Sequence, residues 1–154
     1  MAFPSATAPI SLKGRALRLL SGREYSRVEL ERKLAAFEET PGELAQALDE
    51  LQAKGFIHEQ RVLDSVLYRR AGKLGASRIR QELQNKGLDP SAVLDAVAGL
   101  QATELERARD VWRKKFGSPP VDAAARAKQQ RFLLARGFSS DAVRRVVAGS
   151  DDDC

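Results

Sequence analysis

The sequence predicts an all-α protein made of tandem three-helix units, and three observations lead there. The first is composition: 43% of the 154 residues are hydrophobic but only 6% are aromatic, so Leu, Ala and Val must supply the core. With abundant Glu, Gln, Arg and Lys these residues favour helix, and alternating β-branched patterns are nearly absent. The second is a repeat. Placing Gly87 on Gly137 also places Leu83 on Leu133, Leu88 on Phe138, Ala92 on Ala142 and Val93 on Val143, an offset of 50 residues. A weaker copy at offset 49 sets Leu30, Leu34, Pro41, Leu44, Leu48 and Leu51 on Ile79, Leu83, Pro90, Val93, Val97 and Leu100. The third is punctuation by capping residues and glycines at short intervals. Repeats of this period mark stacked arrays in which neighbours share buried surface. The expected form is an elongated array of units 12–57, 58–101 and 102–149, between a disordered N-terminal segment 1–11 and an acidic disordered tail 150–154.

In the first unit, Leu12 to Ser21 reads as a short helix with Ala16, Leu17 and Leu20 inward, stopped by Gly22. Ser26 and Glu29 have capping-box spacing, and Leu30, Leu34 and Phe37 follow at helical intervals. Thr40-Pro41-Gly42-Glu43 restarts the chain, with Thr40 expected as cap and Pro41 at the first helical position. Leu44, Leu48 and Leu51 form the next stripe before Lys54-Gly55-Phe56 closes the unit.

The second unit carries Val62, Leu63, Val66 and Leu67, then a basic amphipathic helix from Gly75 to Leu88, then a helix opened by Asp89-Pro90 with Val93, Leu94, Val97 and Leu100. The third opens on a second capping-box spacing, Thr103 and Glu106, and continues through Leu105, Ala108, Val111 and Trp112 to Lys115-Phe116-Gly117. After the Ser118-Pro119-Pro120 break come a helix ending at Gly137 and a last one from Ser139 with Val143, Val146 and Val147. Phe56, Leu88 and Phe138, each following a glycine, are the expected contacts between units.

The formal net charge of +5 is unevenly placed. Residues 1–57 hold 8 basic and 8 acidic side chains, 58–100 hold 7 and 5, 101–150 hold 11 and 5, and Asp151 to Asp153 reverse the sign at the end. Positive potential on the second and third units suits a polyanion or an acidic protein surface. Helical charges one turn apart neutralise each other; this spacing pairs Arg78 and Lys86 with Glu82, Asp110 with Lys114, and Asp141 with Arg144 or Arg145. Arg69, Lys73, Arg80, Arg113, Lys115, Lys128, Arg131 and Arg136 are left as candidate contacts to a partner or to DNA.

Catalysis has no foothold in the pattern. His58 is the sole histidine and lacks a nucleophile or acid constellation, and no phosphate-binding loop, metal-ligand cluster or nucleophile elbow occurs. No cofactor or metal is expected. Trp112 and Phe116, one turn apart beside Arg113 and Lys115, read as core aromatics or as a platform for bases. The lone Cys154 allows no intrachain disulfide, the first ten residues hold two prolines and no basic residue, and no apolar run spans a bilayer. A soluble, cytoplasmic monomer is expected.

The segments Ser26 to Leu34, Gly55-Phe56, Gly75 to Leu88, Lys115-Phe116-Gly117 and Phe132 to Phe138 occur in an order that resembles the RecX family of bacterial regulators of the RecA recombinase. The resemblance covers residues 12–148. It implies three-helix modules, a cytoplasmic location and binding to the recombinase filament on DNA, in DNA repair and the SOS response. Relatives of this kind usually inhibit ATP hydrolysis, strand exchange and coprotease activity, although some modulate instead. Contact with single- or double-stranded DNA would be weak and largely independent of sequence. Two other readings use the same residues: a helix-turn-helix protein with Arg80, Gln81, Gln84 and Asn85 facing a groove, and an adaptor for an acidic protein.

Overall fold

Backbone N–H groups at a helix start need acceptors, and the nearby side chains decide how each start is made. The computed structural model describes residues 9–149. They contain nine α-helices and no strand: α1 (Leu12–Leu20), α2 (Arg27–Leu34), α3 (Glu43–Ala53), α4 (Glu59–Arg70), α5 (Ala76–Asn85), α6 (Pro90–Ala102), α7 (Glu104–Lys115), α8 (Ala123–Ala135) and α9 (Ser140–Ala148). A 3₁₀ turn, Ala35–Phe37, follows α2. The expectations placed on residues 1–8, on the acidic tail and on Cys154 lie outside the described residues.

Ser26 and Glu29 form the reciprocal capping box their spacing predicts, and Asp89 and Ser139 cap α6 and α9 through their side chains. Two predicted caps are made differently. Gly42, at φ 89°, takes the position before α3, and the Leu44 N–H donates to Glu38 Oε2 at 2.8 Å, so Thr40 contributes only its carbonyl, to Glu43. A left-handed residue is needed there, and glycine adopts it without a Cβ penalty. Thr103 makes no side-chain cap for α7. Its hydroxyl donates to the Leu100 carbonyl and accepts from Arg107 Nε, because α6 runs almost directly into α7.

The described residues group into two units that divide between Val62 and Leu63. In the first, α1, α2 and α3 pack pairwise around Leu12, Ala16, Tyr25, Leu30, Leu34, Leu44, Leu48, Leu51 and Ile57. Phe37 and Phe56 do not join this core: they are 47% and 46% exposed, and Ile57 takes the buried place after Gly55. Phe56 still closes α3, since its N–H reaches the Leu51 carbonyl at 2.9 Å.

In the second unit, Val62's neighbours Leu63 and Val66 on α4, Ile79 and Leu83 on α5, Leu88, and Val93, Val97 and Leu100 on α6 are buried, whereas Leu94 is 60% exposed. Leu88 and Phe138 are buried, Phe138 within the core of the last three helices. Helices α7, α8 and α9 close around Ala108, Val111, Leu133, Phe138, Ala142, Val143, Val146 and Val147. Trp112 belongs to this core, its Nε1 donating to Gln129 Oε1 at 2.8 Å. The buried Gln129 passes its own amide to the Ser118 carbonyl, which ties the Ser118-Pro119-Pro120 segment to α8.

The second and third helical triplets meet at two glycines. A Cβ on Gly75 would sit inside the Gly137 carbonyl, so only glycine permits the backbones to approach this closely. The Gly75 N–H donates to the Arg136 carbonyl at 2.8 Å and Arg78 Nη1 to the Ala135 carbonyl at 2.8 Å. Gly75 has no side chain to cap α5, and Glu104 supplies the acceptor from α7 by taking the Ala76 N–H at 3.2 Å.

Arg107 locks the other side of this junction. Its guanidinium donates to the carbonyls of Ala71, Leu74 and Leu100 at 2.9, 2.7 and 2.8 Å. Burial holds its pKa below the usual arginine value, opposed in part by the Glu104 carboxylate. The arginine remains a cation, satisfies the Ala71 and Leu74 carbonyls of the α4–α5 connection, and joins Thr103 at the Leu100 carbonyl of α6.

Candidate partner-binding surface

All eight candidate cations lie at the surface. Arg69, Lys73, Arg80, Arg113, Lys115, Lys128, Arg131 and Arg136 are exposed. Arg113 differs from the rest because its Nη1 meets Asp110 Oδ1 at 3.3 Å. That pair replaces the expected one between Asp110 and Lys114 and leaves Lys114 to a different surface. The expected ladder through Glu82 is also absent: Glu82 Oε1 accepts from Arg70 Nε on α4 at 3.1 Å, and Arg78 goes to the Ala135 carbonyl instead. Glu82 Oε2 is buried without a hydrogen bond, so a second cation does not reach it. Asp141 does hold both Arg144 and Arg145, at 3.0 and 3.9 Å.

Three of the eight candidates converge. Lys73, from the α4–α5 connection, Lys115 at the end of α7 and Arg136 just after α8 line an open cavity of about 270 Å³ with Gly72, Val111, Lys114 and Phe132. Phe132 is its centre. The Lys115 ammonium lies 5.4 Å and the Arg136 guanidinium 4.9 Å from the ring centroid, and Phe116 meets the ring edge-on at 5.4 Å. An aromatic ring attracts cations to its face, so Phe132 gathers the two positive groups instead of letting them point apart. Arg69, Arg80, Arg113, Lys128 and Arg131 do not line this cavity.

Sequence reasoning missed Lys114 and Phe132, and it centred the aromatic platform on Trp112. The helical spacing held the signal: Val111 lies three and four places before Lys114 and Lys115, and Phe132 four before Arg136, so each set shares a face near a helix end. Tyr68, next to Arg69 on α4 and 92% exposed, was also passed over. His58 has a local role, its Nδ1 accepting the Arg61 N–H at 3.4 Å at the start of α4.

The arrangement offers an apolar floor, four cations and no carboxylate, which fits an anionic surface and provides no acid–base or nucleophilic constellation. Among the described residues no His, Cys, Asp and Glu cluster could hold a metal ion, and no helix is long and apolar enough to cross a membrane.

Comparison with known proteins bears on the same segments. Residues 13–51 match the family description "RecX, first three-helix domain" and residues 102–147 "RecX, third three-helix domain". The regulatory protein RecX of Leptothrix cholodnii is 53% identical over 144 residues, covering 94% of this chain and 92% of its own. That of Ralstonia pickettii is 45% identical over 150 residues, covering 97% and 94%. The crystal structure of RecX from Lactobacillus salivarius superposes with a TM-score of 0.71 at 22% identity, over 91% of this chain and 94% of that one, a likeness of fold.

Proposed function

Because the chain belongs to the RecX family, we propose that it binds the RecA recombinase filament on DNA and modulates it, chiefly by inhibiting ATP hydrolysis, strand exchange and coprotease activity. In this reading it is a cytoplasmic, monomeric regulator without chemistry of its own. The observation that carries the reading to particular residues is the convergence of Lys73, Lys114, Lys115 and Arg136 around Phe132, with no carboxylate lining the cavity. Arg69, Arg80, Arg113, Lys128 and Arg131 are further proposed contacts, exposed and outside the cavity.

The mechanism follows from occupancy. Several modest contacts to successive filament subunits, with contributions from DNA phosphates, add through effective concentration without any single strong site. Phosphate contacts carry little sequence information and weaken with salt. Inhibition requires that the protein bind an inactive filament state more tightly than an active one, since equal affinity would shift nothing.

The test is recombinase ATPase and filament length on single-stranded DNA, with the wild-type chain and with Lys73→Ala/Lys115→Ala/Arg136→Ala. These side chains hold no carboxylate among the described residues, so the variant should stay folded, losing only the two cation–π contacts on Phe132 at about 0.5–1 kcal/mol each, and inhibit at least about tenfold more weakly. Inhibition at full strength by a folded triple variant would exclude this groove.

A further inference from the structure

Residues 1–57 have equal numbers of acidic and basic side chains, and that balance conceals a strongly segregated surface. Arg15, Arg18 and Leu19 of α1, Lys33 and Leu34 of α2, and Phe37 of the 3₁₀ turn line a second open cavity of about 250 Å³. Elsewhere in this unit Lys13 holds Glu50, Arg23 holds Glu29, Arg27 holds Glu31 and Asp49, and Arg61 holds Glu24. Arg15, Arg18 and Lys33 form no ion pair among the described residues, and no carboxylate lines the cavity. Nearby Glu38 does not line it, and its Oε2 is committed to the Leu44 N–H.

We propose that this α1–α2 groove docks an acidic protein segment in which carboxylates flank a bulky apolar side chain. The cations at its rim complement carboxylates, and arginine can hold one through two parallel hydrogen bonds. Its apolar residues, Leu19, Leu34 and Phe37, match a side chain rather than a phosphodiester. A stacked base fits less well, because the Arg15 guanidinium, 3.9 Å from the Phe37 centroid, already covers one face of the ring. Aromatic residues and arginine are both enriched at protein interfaces. The groove lies wholly within residues 15–37 and stands independently of the cavity around Phe132 and of the function proposed for it.

The probe is a fluorescein-labelled synthetic peptide with Leu-Phe between Asp and Glu residues, titrated into the full chain by anisotropy and, unlabelled, into isotope-labelled protein. Amide shifts should concentrate at Arg18, Leu19, Leu34 and Phe37. Arg18→Gln/Lys33→Gln should weaken binding about tenfold or more, and so should replacing the peptide's Leu-Phe by Ser-Ser or its acids by amides. Arg126→Gln/Arg144→Gln, in the other unit, should leave it unchanged. Both Arg18 and Lys33 are exposed, so folding should be kept; should the double variant melt early, Lys33→Gln alone must still weaken binding. Equal binding by these variants, equal binding of the Ser-Ser peptide, or displacement by oligothymidylate at comparable concentration would each overturn the proposal, the last in favour of nucleic acid.

Discussion

The two compact units differ in how their arginines bridge distant segments. In the first, Arg23, Arg27 and Arg61 meet carboxylates, and the carbonyls of Glu24, Ala45 and Gly55 take their remaining donors. In the second, Arg78 and Arg107 hold the structure together through backbone carbonyls. A carboxylate cancels the charge it binds, whereas a carbonyl satisfies the donor and leaves the charge in place. At Arg78 and Arg107 the second unit is therefore tied together by cations that no carboxylate pairs, while Arg70, Arg113, Arg144 and Arg145 meet acids there as well.

The comparison can be broken most forcefully at its glycines. Gly75→Ala should cost about 3 kcal/mol or more, because the new methyl overlaps backbone that cannot yield. Gly55→Ala in the first unit meets no atom within 4 Å and strains only a φ of 83°, for a cost of about 1–2 kcal/mol. Urea denaturation followed by circular dichroism measures both; equal losses would mean that the close approach of Gly75 to Gly137 is not what its backbone geometry indicates. Next in size, Arg107→Ala should lose about 2–4 kcal/mol by stranding the Ala71 and Leu74 carbonyls, and Arg107→Lys should recover only part of it. Trp112 reports this in the second unit, and a fluorescence midpoint unmoved by Arg107→Ala would remove the clamp. Ser26→Ala should cost about 1 kcal/mol through its capping box. The smallest effect belongs to Asp141→Asn: its two arginine pairs are exposed, and thermal melting should change by no more than a few tenths of a kcal/mol.

Much of the fold was legible because local rules and tertiary structure agree. Ser26, Asp89 and Ser139 cap what their spacing says they cap, and the stripes through Leu30, Leu48, Leu83 and Leu133 are buried. Thr40 and Thr103 were illegible for a shared reason: distant groups compete for the same donors. Glu38 outbids Thr40 at α3, while Thr103 is drawn to Arg107 and the carboxylate next to it, Glu104, to α5. The candidate surface divides similarly. Exposure of the eight cations follows from helical periodicity, but the groove around Phe132 needs the α4–α5 connection brought beside the ends of α7 and α8, and no spacing within one helix encodes that.

Such dependence on distant partners has a consequence for synthesis. The first N–H groups of α5 find their acceptors at residues 104 and 136, and Arg78 finds its own at residue 135. On an emerging chain the Ala76 N–H stays hydrated until residue 104 is made, and the Gly75 and Arg78 donors until residues 135 and 136 follow, so the middle triplet cannot reach its final form in N-to-C order. Loop closure over 61 residues, from Gly75 to Arg136, becomes a late event in folding. A nascent chain halted after residue 101 should be cut by protease in the middle triplet yet protected in the first, and release of the full-length chain should protect both.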